Sequence, residues 1–409
     1  MTDAEQLMYN PFEPGYFDDP YAQFARLREL DPVHRTPDGN WMLFRYDDVF
    51  RVLRDPALSV DDRNIGYSAR AAQVAELARD RDLVRDERSM LGLDPPDHDR
   101  LRRLVSKAFT PRAIEGLRPR VQQLVDEALD RVAPVGRIDL IADLAFPLPF
   151  RVISEMLGMP EADMVTIRDW SNAMVKMIDP VISDEEVRAA GDAAEQMDRY
   201  LDEVIAWKRE HPADDMLTDL IRAEDEGDRL TPAELAAQVS LLFIAGHETT
   251  VNLIGNGTRA LLRHRDQWDR VAADPELIMD GIEELLRFDP PVQLSRRIAM
   301  ADMEIDGRRI EAGSFMACML AAANRDPAKF GPDADQLDLT RPNAGQHVSF
   351  GSGVHYCLGA SLARLEGQVA IGTFVRRFPD AELVDTPTVW NGRINLRGLA
   401  ELPIDLGPG

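Results

Sequence analysis

The chain has 409 residues, 44% of them hydrophobic and 29% charged, which is the composition of a globular protein with a sizeable core. Its formal net charge of −25 would repel nucleic acid phosphates and anionic lipid headgroups, so we expect neither as a partner. No apolar stretch has the length of a membrane span, and the N-terminus lacks the basic and apolar regions of a signal peptide.

Helical periodicity dominates the first half of the chain. Residues Pro20 to Asp31 predict a helix, residues 41–44 a strand, and the segment from Asp47 a further helix. Later helices are predicted over 97–107, 111–132, 149–157, 161–178 and 184–210. Because there is no internal repeat or low-complexity linker, we expect residues 1–409 to form a single domain.

The longest predicted helix covers residues 231–264. It opens with Thr231, Pro232 and Glu234, a capping box with proline at the first helical position. The apolar run VSLLFIAG in its middle predicts a buried helix. The sequence AGHETT at residues 245–250 is polar, and polar groups inside a buried helix need a partner or a function. We expect Gly246 to reduce crowding there so that a ligand fits.

The rest of the chain mixes helices with short strands. Helices are predicted over 275–288 and 358–378, and strands over 292–298, 302–305, 308–310 and 314–320. Residues 324–349 have no regular pattern, and irregular stretches of this length are often functional. The expected fold is therefore mainly α with small β-sheets.

The two cysteines, Cys318 and Cys357, lie in different contexts. Two thiols in so long a chain indicate no disulfide framework, fit a cytoplasmic protein and exclude an iron–sulfur centre, which needs about four cysteines. Cys318 lies in the apolar run FMACMLAAA and is interpreted as a small buried hydrophobe. Cys357 follows a glycine-containing loop and precedes a predicted helix, whose N-terminal end favours a thiolate.

A thiolate at Cys357 has three obvious uses, as a nucleophile, a zinc ligand or an axial iron ligand. A nucleophile needs a base and an orienting group, and of these only His355 adjoins it in sequence. Zinc needs about four ligands, whereas only His347, His355 and Cys357 cluster. A single thiolate suits haem, where it donates electron density that favours O–O cleavage.

The segment FGSGVHYCLG resembles the haem-binding loop of the cytochrome P450 family. The family's positions are matched by Phe350, Gly353, His355, Cys357 and Gly359. The resemblance implies the cytochrome P450 fold, with haem b held between the long central helix and the helix after the cysteine loop. Cys357 would be the axial ligand of the iron, and Phe350, Gly351, His355 and Gly359 would contact the haem.

AGHETT resembles the oxygen-activation groove of the same family. Ala245 would then face the haem, and Glu248 and Thr249 would form an acid–alcohol pair that relays protons to bound dioxygen. Without the cysteine loop, a water-filled kink in a core helix would be the preferred interpretation. HETTV also begins like a zinc protease motif, but Val251 replaces its second histidine.

Two further segments match the family. Glu284 and Arg287 lie three residues apart on one helix face and, taken alone, are a surface ion pair. By resemblance they form a buried pair, completed by Arg341, that braces the cysteine loop. By resemblance, the haem propionates are bound by His98, Arg102, Arg297 and His355.

The implied activity is that of a haem-thiolate monooxygenase. Its substrate would be an apolar small molecule of the steroid, terpenoid, fatty acid or polyketide class. Electrons would come from a ferredoxin and an NAD(P)H-dependent ferredoxin reductase, and the protein would be a monomer. Family position places the substrate pocket at Leu91, Met174, Met177, Ile178, Leu242, Ala245, Val292, Leu294 and Ile394. These residues fit a plain core equally well.

Residues 100–120 are a candidate ferredoxin docking surface. Although the chain is acidic overall, this stretch is basic, and a basic patch can steer an acidic partner. Its basic residues are Arg100, Arg102, Arg103, Lys107, Arg112, Arg118 and Arg120. Ordinary charge balance explains the stretch as well. Three other functions remain open: a haem-thiolate sensor without turnover, a peroxide-driven haem enzyme or isomerase, and a zinc-thiolate hydrolase.

Overall fold

The computed structural model describes residues 7–66, 89–160, 164–225 and 230–407. Within these ranges the fold is mainly helical with three small β-sheets, as the sequence predicts. The helices are α1 (Tyr21–Leu30), α2 (Tyr46–Arg54), α3 (Asp97–Val105), α4 (Pro111–Glu115), α5 (Arg118–Val132), α6 (Pro147–Leu157), α7 (Met164–Val175), α8 (Asp184–Glu210), α9 (Met216–Asp225), α10 (Pro232–Arg263), α11 (Arg265–Ala273), α12 (Leu277–Phe288), α13 (Leu320–Ala323), α14 (Pro327–Phe330) and α15 (Ala360–Arg377). The strands are β1 (Val33–Arg35), β2 (Trp41–Leu43), β3 (Leu58–Ser59), β4 (Arg137–Asp139), β5 (Ser295–Ala299), β6 (Met303–Ile305), β7 (Arg308–Ile310), β8 (Phe315–Cys318), β9 (Glu382–Leu383) and β10 (Pro403–Asp405).

Several predicted elements differ in their bounds from the observed ones, among them the following three. The predicted helix 111–132 is interrupted at Gly116, and Pro119 suits the start of the separate helix α5. The predicted helix 161–178 is regular over α7 and continues as a 3₁₀ turn to Ile178, while residues 161–163 lie outside the described ranges. The predicted strand 314–320 ends at Cys318 because the chain turns into α13. Within the described ranges, no helix is both long and apolar enough to cross a bilayer.

The largest sheet has five strands in the order β1-β2-β8-β5-β3. Strands β2 and β8 pair in parallel, with Leu43 opposite Cys318, and β5 pairs antiparallel with β8, with Arg297 opposite Met316. The other two sheets have the orders β4-β10-β9 and β6-β7. This arrangement holds Arg297 on a strand next to the one that ends in Cys318.

Helix α10 runs through the largest hydrophobic cluster and packs against α6, α8, α12 and α15. Thr231 and Glu234 form the predicted capping box. The helix ends at Arg263, and His264 joins it to α11. Because α10 is long and buried, it contacts several of the other helices along its length.

Gly246 serves helix packing on α10. A Cβ placed there would lie 2.7 Å from Cγ1 of Ile153 on α6, which is closer than side-chain carbons approach. The expectation that Gly246 makes room for a ligand is therefore wrong, because Ile153 already fills the space that the missing side chain leaves.

Candidate active site

The cysteine loop, residues 350–359, joins the irregular stretch to helix α15. Gly351 and Gly353 have φ values of +69° and +74°, in the left-handed region that favours glycine. A Cβ at Gly353 would also lie 2.7 Å from the carbonyl oxygen of Leu53. The Cys357 N–H donates to the Phe350 carbonyl at 2.9 Å and closes the loop. The backbone that carries the cysteine is therefore held in one conformation.

The two cysteines have different environments. Cys318 is fully buried, and desolvation raises the pKa of its thiol to about 12, so it stays neutral. Cys357 is accessible to solvent, yet protein surrounds it closely enough that desolvation still raises the pKa of its thiol. The Gly359 N–H and the charges of Arg102 and Arg364 oppose that rise. A thiolate at Cys357 would therefore be stabilised by one hydrogen-bond donor and two cations.

Four basic side chains converge beside the cysteine loop, and we call them the basic cluster: His98, Arg102, Arg297 and His355. The rings of His98 and His355 lie 4.3 Å apart between centroids. Nδ1 of His98 contacts Asp99 at 2.8 Å, whereas its buried Nε2 has no hydrogen-bond partner in the described part of the chain. Burial and the charges of His98, Arg297 and Arg102 lower the pKa of His355 to about 3. The basic cluster is suited to binding carboxylates.

One strip of helix α10 is open, although most of the helix is buried. Ala245 is exposed and Thr249, one turn later, is half-buried. The Thr249 hydroxyl donates to the Ala245 carbonyl at 3.2 Å. This open strip, Ala245 and Thr249, faces accessible space where the rest of the helix faces protein, as expected of a helix that lines a ligand pocket.

Glu248 lies on a different face of α10 from Thr249. Its Oε2 accepts a hydrogen bond from Nη1 of Arg393 at 2.5 Å, and its Oε1 lies 3.5 Å from Nε2 of His247. Burial alone would raise the pKa of Glu248, but Arg393 and His247 outweigh it and lower the pKa to about 2. The acid–alcohol pair suggested by the sequence does not form a direct contact here, because consecutive helical side chains point about 100° apart.

A buried network supports the irregular stretch. Nε and Nη2 of Arg287 donate to the two carboxylate oxygens of Glu284 at 2.6 and 2.8 Å, and both side chains are fully buried. Nε of Arg341 reaches Glu284 Oε1 at 3.2 Å. The remaining donors of both arginines bind backbone carbonyls between residues 324 and 336, and Arg341 also binds the Asp333 carboxylate. The interpretation of Glu284 and Arg287 as a surface pair is therefore excluded.

Several contacts of this region were missed at the level of sequence. Glu283 binds Arg364 of α15 at 2.5 Å and His347 at 3.1 Å, and so ties α12 to the segments on both sides of the cysteine loop. Arg393, the partner of Glu248, lies in the C-terminal tail without a surrounding motif. Glu366 is fully buried on α15, and its place among apolar neighbours on that helix is a sequence signal for burial.

The predicted substrate-pocket residues differ in their exposure. Leu242, Leu294 and Ile394 are buried, Met174, Met177 and Val292 are half-buried, and Leu91, Ile178 and Ala245 are exposed. Leu242 and Leu294 each pack inside a hydrophobic cluster, so these two act as core side chains. The half-buried and exposed members have surface free to contact a ligand.

These features fit a haem. Cys357 supplies an accessible sulfur, and the basic cluster, with the unpartnered Nε2 of His98, supplies groups for two propionates. No atom lies within 4 Å of a Cβ placed at Gly359, so the start of α15 leaves space for a flat group. Among the described residues, no three His, Cys, Asp or Glu side chains cluster to hold a metal ion, which disfavours the zinc hypothesis.

Comparison with known proteins agrees with this fit. The cytochrome P450 family profile matches residues 69–391. The chain is 41% identical to cytochrome P450 107B1 of Saccharopolyspora erythraea, with 100% of both chains covered. The solved structure of PksS, a polyketide synthase cytochrome P450 of Bacillus subtilis, is 36% identical with a TM-score of 0.86, covering 98% of this chain and 100% of PksS. The solved structure of the tirandamycin C-bound P450 monooxygenase TamI is 38% identical to this chain in sequence. It has a TM-score of 0.84 and covers 98% of this chain and 100% of TamI.

The similarity includes the fold and nearly the whole length of each relative. The family's cofactor is haem bound through a cysteine thiolate, and its activity is monooxygenation. Together with the cysteine loop, the basic cluster and the open strip of α10, these matches show that the chain belongs to the cytochrome P450 family of monooxygenases.

Proposed function

We propose that residues 1–409 form one haem domain that hydroxylates an apolar small molecule with O2 and two electrons, as a monomer in the cytoplasm. Cys357 would supply the thiolate that holds the iron of haem b. The observations that carry it are an accessible cysteine before α15, the basic cluster beside the cysteine loop, and the open strip of α10, a helix that packs against α15. Each of the three serves a different part of a flat, dianionic cofactor.

Bound haem supplies the redox chemistry that activates O2. The chain holds the cofactor and sets its electrostatic surroundings. Desolvation raises the pKa of Cys357, and a backbone N–H and two arginine charges oppose that rise and favour the thiolate. The basic cluster would hold the propionates, and the Nε2 of His98 is a donor or acceptor that has no other partner among the described residues.

Thr249 and Glu248 have separate roles in this proposal. The Thr249 hydroxyl lies on the open strip and can exchange its bond to the Ala245 carbonyl for a bond to a ligand on that side. The low pKa keeps Glu248 ionised, so in this proposal it accepts hydrogen bonds from water and orients that water for proton transfer, and it does not store a proton. Proton delivery thus needs a water between the two side chains, which point in different directions.

The pocket and the relatives support a proposal for the substrate class. The open strip and the half-buried Met174 and Met177 favour an apolar ligand, because methionine side chains adapt to irregular shapes. Within the steroid, terpenoid, fatty acid and polyketide classes, the similarity to the polyketide synthase cytochrome P450 PksS favours a polyketide.

Ferredoxin, reduced by an NAD(P)H-dependent reductase, is the proposed electron donor, and it docks on the basic stretch 100–120. Three of its arginines are paired with glutamates: Arg100 with Glu234, Arg118 with Glu115 and Arg120 with Glu155. Arg103, Lys107 and Arg112 have no carboxylate partner among the residues that the structure describes. Arg103 lies on α3, Lys107 in the turn after it and Arg112 on α4. Arg102 ties α3 to the Tyr356 carbonyl of the cysteine loop at 2.7 Å. Arg103, Lys107 and Arg112 are therefore the part of the stretch that an acidic partner would meet.

Charge reversal tests the docking surface. Arg103→Glu and Arg112→Glu should each slow reduction by a ferredoxin about tenfold at low salt and much less at high salt, because salt screens steering between exposed charges. Arg263→Glu, at the exposed end of α10, is the matched control and should leave the rate unchanged. A reduction rate that neither salt nor charge reversal alters would place the donor elsewhere.

The test of the whole proposal is the difference spectrum of the reduced protein with carbon monoxide. Wild type and Cys318→Ser should show the strongly red-shifted Soret band of a thiolate-ligated haem, and Cys357→Ser should lose it. Wild type with a band at the ordinary histidine-haem position would contradict thiolate ligation. Protein without haem would return Cys357 to the nucleophile and zinc hypotheses. Turnover with peroxide alone, or none with any donor, would favour the peroxide-driven enzyme or the sensor.

A further inference from the structure

A second cavity, of about 260 Å³, lies between α7, α10 and the C-terminal tail. Arg168, Asn172 and Lys176 line it at intervals of four residues, so they share one face of α7 and the turn that follows it. Glu248 lines it from α10, about 100° around that helix from Thr249. The cavity is therefore distinct from the space in front of the open strip.

Arg393 reaches this cavity from the C-terminal tail with only part of its guanidinium in use. Nη1 binds Glu248 at 2.5 Å. The side chain is 7% exposed, and its buried Nε has no hydrogen-bond partner in the described structure. Leaving a buried N–H without an acceptor is unfavourable. A guanidinium receives a carboxylate through two parallel hydrogen bonds.

Arg168 brings a second cation to the same space. Its guanidinium lies 4.6 Å from the ring centroid of Phe146, and no carboxylate of the described residues pairs with it. Lys176 is already engaged, since its Nζ donates to the Gly392 carbonyl at 2.6 Å. Two guanidinium groups therefore border a cavity whose one lining carboxylate, Glu248, is already paired.

The remaining wall of the cavity is apolar and includes Phe146, Val251 and Leu399. An inorganic anion would use only the cationic side, whereas an organic carboxylate would use both. We propose that this cavity binds a small organic carboxylate, held by the guanidinium groups of Arg393 and Arg168, with its apolar chain against Val251 and Leu399. Nη1 of Arg393 stays hydrogen-bonded to Glu248 when the ligand is bound. The ligand does not contact the open strip, and the site shares with the proposed reaction only Glu248, through its bond to Arg393.

Calorimetric titration of the haem-loaded full-length protein with sodium butyrate, at constant ionic strength, tests the site. Wild type should bind one butyrate per chain. Arg168→Gln should weaken binding at least about tenfold, as expected for the loss of a charge-assisted hydrogen bond. Asn172→Leu, on the same face of α7, should also weaken binding and serves if Arg168→Gln does not fold. Arg376→Gln, which removes an exposed arginine on α15, should bind as wild type does.

Two probes and one spectrum distinguish a carboxylate bound in this cavity from an anion bound elsewhere on the protein. Butyramide, the neutral analogue, should not bind, and inorganic phosphate should bind more weakly than butyrate because it cannot use the apolar wall. The Soret band should stay unchanged on butyrate binding. Absence of saturable binding would mean that the cavity holds only water and would overturn the proposal. Equal binding by Arg168→Gln, or a Soret shift that this variant retains, would overturn it as well, because butyrate would then bind elsewhere.

Discussion

Glu248 on α10 and Glu366 on α15 are buried glutamates on two helices that pack against each other, and their pKa values shift in opposite directions. Glu248 has Arg393 and His247 beside it, and its pKa falls to about 2 despite burial. Glu366 has no hydrogen-bond partner at either oxygen in the described structure, and desolvation raises its pKa to about 8. Burial of similar depth therefore gives a charged carboxylate in one region and a neutral acid in the other, because the partner decides the sign of the shift.

The neighbouring threonines of α10 follow the same division. Thr249 lies on the open strip, beside Glu248 in sequence but not in contact with it. Thr250 is buried, and its hydroxyl is near enough to lower the pKa of Glu366, although no donor there meets hydrogen-bond geometry. Helix α10 thus separates a ligand-facing hydroxyl from a hydroxyl that faces the core.

The largest effect is expected from removing the counterion of Glu248. Arg393→Met should lower the free energy of unfolding by about 3–5 kcal/mol at pH 7, because a buried charge is left without its partner. In wild type, the low pKa of Glu248 contributes stability that is present above pH 4.5 and is lost as the pH falls towards 2. This contribution is absent in Arg393→Met. The difference in free energy of unfolding between wild type and Arg393→Met should therefore shrink in acid. Urea unfolding at several pH values measures it.

The double variant Glu248→Gln/Arg393→Met is the control for this prediction. It removes both charges, so it should recover most of the stability lost by Arg393→Met alone. If Arg393→Met is as stable as wild type at pH 8, the ion pair does not hold Glu248 in its charged form and the contrast with Glu366 is lost.

The second effect concerns the neutral acid. Between its ordinary value of 4.5 and about 8, Glu366 binds a proton in the folded chain but not in the unfolded one, so wild-type stability should fall as the pH rises through that window. Glu366→Gln has no such group, and its stability relative to wild type should increase by about 3 kcal/mol between pH 5 and pH 8. The diagnostic quantity is the change of this stability difference with pH. The stability difference at a single pH is not diagnostic, because the amide in the variant also needs hydrogen-bond partners in this buried site. Parallel pH profiles for the two proteins would mean that Glu366 titrates normally.

The sequence predicted those parts of this comparison that depend on local pattern. The capping box of α10, the cysteine loop with Gly351 and Gly353, and the spacing of Glu284 and Arg287 are each contained in one short segment. Local geometry decides such features, so a motif is enough to place them.

The features that the sequence did not predict depend on contacts between residues that are distant in the chain. Arg393 lies 145 residues after Glu248, and no local pattern links the two. The packing role of Gly246 depends on Ile153 of another helix. The charge state of Glu366 depends on the absence of a partner, which sequence spacing does not reveal. Tertiary contacts determine all three, and the structure was required to find them.

The third effect tests the division between the two threonines. Thr249→Ala should retain haem and substrate but divert electrons to hydrogen peroxide, raising peroxide per electron consumed about tenfold, because the open strip loses its hydroxyl. Thr250→Val is the matched control and should keep the coupling of wild type, since its hydroxyl faces the core. Coupling is measured as product and peroxide formed per NAD(P)H oxidised. Unchanged coupling in Thr249→Ala would remove its role.

The smallest effect comes from the same Thr250→Val variant when its stability is measured. The Thr250 hydroxyl lowers the pKa of Glu366, so its removal should raise that pKa above the value of about 8 in wild type and extend the window of falling stability to higher pH. The change in the free energy of unfolding should be only a few tenths of a kcal/mol, because the hydroxyl is not in ideal hydrogen-bond geometry. Unfolding midpoints between pH 7 and pH 9 measure it, with Glu366→Gln/Thr250→Val as the background in which the shift must vanish. A shift that persists in the double variant would come from packing at Thr250, and Glu366 would then be a carboxyl whose pKa is set by burial alone.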